Sequence, residues 1–174
     1  MNKNWYAVYT KTHCEKKAAA LLSRKKIENL CPLNRITSSQ GNRRKMAYEP
    51  LFPSFVFVYI SEAEMRVVRQ TSDVINFVYW LGKPAMIKTG EIENILHFTK
   101  AYHNIKLEKT VVNAIGMARI TNEPKLDLKE GALSLNTIRI KLSLPSLGFA
   151  MLAESEKTGI ETAQFGLVNS GMLM

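Results

Sequence analysis

The chain has 174 residues, 46% of them hydrophobic and 22% charged, with a formal net charge of +9. That length suits one medium domain or two small ones, and the composition is that of a globular fold, which excludes disordered and collagen-like classes. Cys14 and Cys31 make neither a CxxC pair nor a ligand cluster, so two reduced structural thiols are expected, with no disulfide framework or metal.

The charge is unevenly placed. Residues 1–60 carry 11 Lys and Arg against 3 acids, while the rest of the chain is close to balance. A concentrated basic field suits phosphate neutralisation, and a solvated basic surface is the plainer alternative. MNKNWYAVYT has no long apolar core, so no signal peptide is expected. No apolar run approaches the ~18–20 residues of a membrane span, and a cytoplasmic chain without membrane contact is expected.

In chain order, WYAVYT (residues 5–10) reads as a strand, rich in aromatic and β-branched residues. Residues 13–27 read as an amphipathic helix with Cys14, Ala18, Leu21 and Leu22 on one stripe. His13, Lys17 and Arg24 fall within about 40° of one another on the opposite side. Residues 36–50 read as two strand ends joined at Gly41-Asn42, a turn that carries Arg43, Arg44 and Lys45. FVFVYI (residues 55–60) lacks the alternation of a strand buried on one face. Phe55, Phe57 and Tyr59 share one side; Val56, Val58 and Ile60 share the other. Either the protein's own layers cover both faces, or one face awaits another molecule.

Residues 62–71 read as a short helix bearing Arg66 and Arg69, and VINFVYWL (74–81) as a strand closed by Gly82-Lys83-Pro84. A third helix is expected over 89–102, with Thr89 as N-cap and Ile92, Ile95, Leu96 and Thr99 at core spacing. Residues 103–113 lose periodicity and read as a linker. Short β-like stretches follow at 117–121, 131–135, 137–142 and 149–155, the pattern of a small barrel. Residues 157–174 carry no pattern and read as a loose tail. The expected class is α+β: an antiparallel sheet with flanking helices over 1–102, a linker over 103–113, then a small SH3-like β-barrel over 114–156.

Catalytic signatures are missing. No GxGxxG or GxxxxGK[ST] occurs, Asp73 and Asp127 are the only aspartates, and His13, His97 and His103 are isolated. Cys14 follows His13 directly, and adjacent helical positions do not face each other. No nucleophile, base and orienting group come together, so a binding protein is expected, with no catalytic residue and no cofactor.

The first hundred residues resemble the N-terminal (NGN) domain of the NusG family of transcription factors, and most closely its specialised antitermination paralogues of the RfaH and UpxY type. WYAVYTK at 5–11, CPLN at 31–34, EPLFPSFVFV at 49–58, VINFV at 74–78 and GKPAMI at 82–87 carry the resemblance in order. The C-terminal part resembles the KOW-type barrel through MARIT at 117–121, Gly131 and LPSLGF at 144–149. Glu123 and Asp127 stand where KOW glycines are common.

The resemblance implies a factor that docks an apolar pocket on the clamp helices of RNA polymerase's largest subunit and lies beside upstream, non-template DNA. By position, Tyr9, Phe52 and Phe55 are the pocket residues, with Ile92 and Leu96 as a wall. Lys11, Lys17, Arg24, Arg43 and Arg44 are the nucleic-acid contacts; Lys11 and Lys17 match by position, the others by charge. Arg66 and Arg69 sit on the helix that touches the second large polymerase subunit. The implied action suppresses pausing and termination, for one operon or many. A monomer is expected, with a small-subunit ribosomal protein as a further partner of the barrel. The rival reading is a ribosome- or RNA-associated KOW-type module.

Overall fold

The computed structural model describes residues 2–40, 43–110 and 137–156. Strand β1 (Asn4–Thr10) lies at the centre of an antiparallel sheet. It pairs along its length with β5 (Phe55–Ile60), in the register Trp5↔Tyr59, Ala7↔Phe57 and Tyr9↔Phe55. On its other side, β6 (Val74–Phe77) pairs with residues 8–10 and β9 (Met86–Ile87) with residues 5–6. β2 (Glu28–Leu30) closes the far edge against β5. β3 (Leu33–Gln40) and β4 (Arg43–Pro50) form a separate long hairpin.

Both faces of β5 are covered, which is why it does not alternate. On one side, Val56, Val58 and Ile60 pack with Tyr6 and Val8 of β1. Leu22 of α1 (Glu15–Arg24) and Val68 of α2 (Met65–Arg69) complete that layer. On the other side, Phe57 and Ala7 pack with Ile92, Ile95 and Phe98 of α3 (Thr89–Ala101). Each large apolar side chain so buried contributes ~1.5–3 kcal/mol.

Local chemistry sets the ends of these elements. α1 begins at Glu15, two residues after His13 enters the left-handed region at φ 61°. It closes on a Schellman pair, in which the Lys26 N–H donates to the Ser23 carbonyl and the Ile27 N–H to the Leu22 carbonyl. Before α2, a 3-10 turn (Glu62–Glu64) carries a capping box: the Glu64 carboxylate accepts from the Ser61 backbone N–H and hydroxyl, both at 2.9 Å. The Ser61 N–H, first among these partners, holds the Glu64 carboxyl below its ordinary pKa. For α3 the residue before the first turn is Lys88, with extended backbone, and Thr89 is already helical. The cap expected at Thr89 therefore sits one residue earlier.

VINFVYWL is broken into two pieces. β6 ends at Phe77, and a second hairpin of β7 (Tyr79–Trp80) and β8 (Lys83–Pro84) follows. Part of the expected linker forms a strand, β10 (Lys106–Lys109), and its last three residues lie outside those described. β10 pairs with β12 (Phe149–Glu156), which pairs with β11 (Thr137–Leu144), giving a three-stranded antiparallel sheet in the order β10-β12-β11. The expected strands at 117–121 and 131–135, the KOW turn, Gly41-Asn42 and the tail lie outside the described residues.

The C-terminal sheet packs on the α3 side of the main sheet. Leu144, Met151 and Ala153 join the cluster built on Phe52, Phe57, Ile92 and Ile95. Polar groups fasten the connection. The buried Asn34 amide donates to the Ile105 carbonyl at 2.8 Å and accepts its N–H at 3.0 Å. The Asn104 N–H donates to the Arg35 carbonyl at 2.9 Å, and the Asn104 side chain accepts the Thr37 N–H at 2.9 Å.

Candidate functional site

Cross-strand pairing sets Tyr9 against Phe55, with ring centroids 4.8 Å apart. Phe52 sits in the bend between β4 and β5 and meets Phe57 edge-on, with ring centroids 5.2 Å apart. Tyr9, Phe52, Phe55 and Phe57 line a cavity of about 470 Å³. The cavity's other side is C-terminal: Phe149 stands edge-on to Phe52 at 6.1 Å and to Phe55 at 6.3 Å. Lys109, Thr110 and Ser146 supply polar atoms at its margin.

The three expected pocket residues thus come together, but not equally exposed. Tyr9 is 40% exposed, Phe55 is half-buried, and Phe52 is 2% exposed. Ile92 is buried in the same cluster and Leu96 packs against it, yet neither lines the cavity. The hollow is covered by the chain's own C-terminal strands, and Glu91 holds that cover. Its buried carboxylate accepts the Ser146 hydroxyl at 2.7 Å and the Ser146 N–H at 3.2 Å. Reading by motif placed LPSLGF in the barrel and missed Glu91, Ser146 and Phe149 as parts of this face.

On the opposite layer, Lys11 and Lys17 converge on Asp73, at 3.5 Å and 2.9 Å. The Lys17 hydrogen bond is the main cause of an Asp73 pKa held below the ordinary carboxylate value, and Asp73 in turn raises that of Lys17. Both ammonium groups remain exposed while Asp73 is nearly buried. Asp73 is therefore the positioning residue that the sequence did not single out. Arg24 is exposed in the last turn of α1. Arg43 and Arg44 belong to β4, and their side chains lie outside what is described. Arg66 and Arg69 are exposed on α2. Arg69 also donates to the Tyr79 hydroxyl at 2.8 Å and lies 5.4 Å from the Phe77 ring centre.

Glu15, expected on no particular face, is buried and accepts the Ser54 N–H at 2.6 Å. Cys14 and Cys31 are free thiols. Burial, with the Glu15 carboxylate second, pushes the Cys31 thiol up to about 11, so it stays protonated near neutrality. Among the described residues, no group of three or more His, Cys, Asp or Glu is placed to hold a metal ion. No helix among them is long and apolar enough to cross a membrane.

The arrangement is that of an α+β fold with one aromatic hollow and one basic face. The family described as "Transcription termination factor nusG" matches residues 3–96, and the chain belongs to this NusG family. It is similar to the "Transcription termination/antitermination protein NusG" of Bacillus subtilis (strain 168), with 32% identity over 111 residues. That match spans 55% of this chain and 62% of the relative's length. A solved structure described as "Domain interaction in Thermotoga maritima NusG" is 22% identical, covers 83% of this chain and 75% of its own, and has a TM-score of 0.46.

Proposed function

We propose that this protein is a transcription termination/antitermination factor that binds RNA polymerase and nearby nucleic acid, rather than an enzyme. The observation that carries the reading is the aromatic hollow of Tyr9, Phe52 and Phe55, shielded by strands that the Glu91–Ser146 contact helps to fasten. Rigid aromatic rings offer large contact area at little entropic cost, which is what an apolar helix pair such as the polymerase clamp helices needs. Residues 1–102 form the polymerase-binding unit in this reading, with Ile92 and Leu96 backing the hollow from α3. Arg66 and Arg69 meet the second large subunit.

Lys11 and Lys17, fixed by Asp73, lie against upstream non-template DNA, supported by Arg24, Arg43 and Arg44. Bridging the two sides of the DNA channel favours the closed clamp by differential affinity, and so suppresses pausing and termination. The C-terminal strands and the clamp helices compete for one face, so docking requires the strands to lift away. The released C-terminal region, residues 114–156, is then free to close as a KOW-type barrel and meet a small-subunit ribosomal protein.

The test uses the full chain, purified elongation complexes, and the variants Tyr9→Ala and Phe55→Ala. Retention that falls by tenfold or more with the fold intact is expected; undiminished retention removes the pocket assignment. Pull-down dominated by ribosomal subunits rather than polymerase would instead favour the ribosome-associated reading.

A further inference from the structure

The β7–β8 hairpin holds apolar side chains out of the fold. Trp80 is 64% exposed, Leu81 88% and Tyr79 43%. Its two-residue turn is Leu81-Gly82, with φ of 48° and 77°, the left-handed pair that matches strand twist. Leucine in that region carries a strain of its own, so the turn holds a large apolar residue outward against local preference. The pairing Trp80↔Lys83 puts the indole and an ammonium on the same face, while Tyr79 faces Pro84 on the other. Arg69 anchors the hairpin to α2 through the Tyr79 hydroxyl and remains exposed.

The segment that carries the hairpin has one sign. Residues 74–88 contain Lys83 and Lys88 and no Asp or Glu. The loop between α2 and β6, which leads into this segment and carries Asp73, gathers cations from in and around α1. Lys25 donates to the Gln70 carbonyl at 3.3 Å and the Thr71 hydroxyl at 3.0 Å, and Lys11 and Lys17 meet on Asp73. Cations thus gather on the loop that leads into the hairpin, and within the hairpin Lys83 stands on the same face as an exposed indole.

Cations beside an exposed aromatic ring suit single-stranded nucleic acid, where phosphates meet the charge and an unpaired base offers its π-face. We propose that Trp80 is a base-stacking residue for single-stranded nucleic acid, with Lys83 of the same hairpin face on a flanking phosphate. The proposal rests on the nucleic-acid reading of the Lys11–Lys17 face and extends it to a residue outside that face. Duplex DNA offers no such base face along its length.

Trp5 and Trp80 are the only tryptophans, so Trp5→Phe leaves Trp80 as the sole indole reporter. Titrating this full-length variant with a short single-stranded oligothymidylate is expected to quench Trp80 emission. In the otherwise native chain, Trp80→Ala is expected to weaken oligothymidylate binding about 5- to 150-fold, and Trp80→Phe to restore most of it. Thermal melting of both should match the parent, because the site is exposed. If Trp80→Ala binds as the parent does while Lys17→Ala loses affinity, stacking is overturned and the basic-face reading stands. If Trp80→Ala keeps the oligonucleotide but loses polymerase, the hairpin takes a protein and the proposal is overturned. If the parent chain binds no oligonucleotide, both readings fall together.

Discussion

Glu91 and Ser146, 55 residues apart, are joined through both the hydroxyl and the backbone N–H of the serine. Removing the hydroxyl costs the cover one hydrogen bond to a carboxylate, worth ~1.5–3 kcal/mol, and leaves the N–H in place. A face that is exposed only part of the time binds with an affinity reduced by that fraction. Ser146→Ala is therefore expected to tighten retention on elongation complexes by about tenfold, with Glu91→Gln acting in the same direction. Equal retention by Ser146→Ala and the parent would show that the cover does not limit docking.

Phe52 and Tyr9 belong to the same hollow, yet substitution should separate them. Phe52 is packed between Phe57 and Phe149, so Phe52→Ala is expected to lose ~3–5 kcal/mol of stability by urea unfolding. Tyr9 is partly exposed and stacks on Phe55 alone among the described aromatic pairs, so Tyr9→Ala should lose only ~1 kcal/mol. Its effect should appear in polymerase retention instead. A Tyr9→Ala chain as unstable as Phe52→Ala would mark both rings as core.

Lys26 ends α1 at φ 61°, the position that glycine usually takes in a Schellman close. Lys26→Gly should relieve ~1 kcal/mol of backbone strain and raise the melting temperature. A lower melting temperature would show that the lysine side chain matters more than its backbone.

Much of this fold could be read from the chain because its strands carry their own periodicity. β5 runs over the six residues the pattern marked, and the two faces of its side chains sort as the spacing required. Helix ends were less legible, since Lys88 and His13 owe their roles to backbone angle rather than side-chain type. VINFVYWL read as one strand because apolar content does not record where pairing switches from β1 to a local hairpin. The face around Tyr9, Phe52 and Phe55 was legible from position, whereas its cover was not. Glu91 and Ser146 meet only through tertiary packing, and neither residue type announces it.

Asp73 organises the basic face, and its ionisation makes that face testable by pH. Its folded pKa lies below the ordinary carboxylate value of ~3.9, so the pairing stabilises the fold above that pH and is lost as pH falls through the lower folded value. Lys17, raised by the same contact, keeps its contribution until pH climbs through its own elevated value, above the ordinary ~10.4. Asp73 also occupies φ 69°, which asparagine tolerates, so Asp73→Asn removes the charge without adding backbone strain. The parent should be more stable than Asp73→Asn by a constant margin from about pH 5 to 9, and the margin should shrink below pH 4. Asp73→Asn should also release Lys11 and Lys17 and raise local positive charge, giving tighter but more salt-sensitive binding of oligonucleotide. A stability margin that is unchanged at pH 3 would mean that Asp73 acts through its backbone position, and that the two lysines are held by something other than its charge.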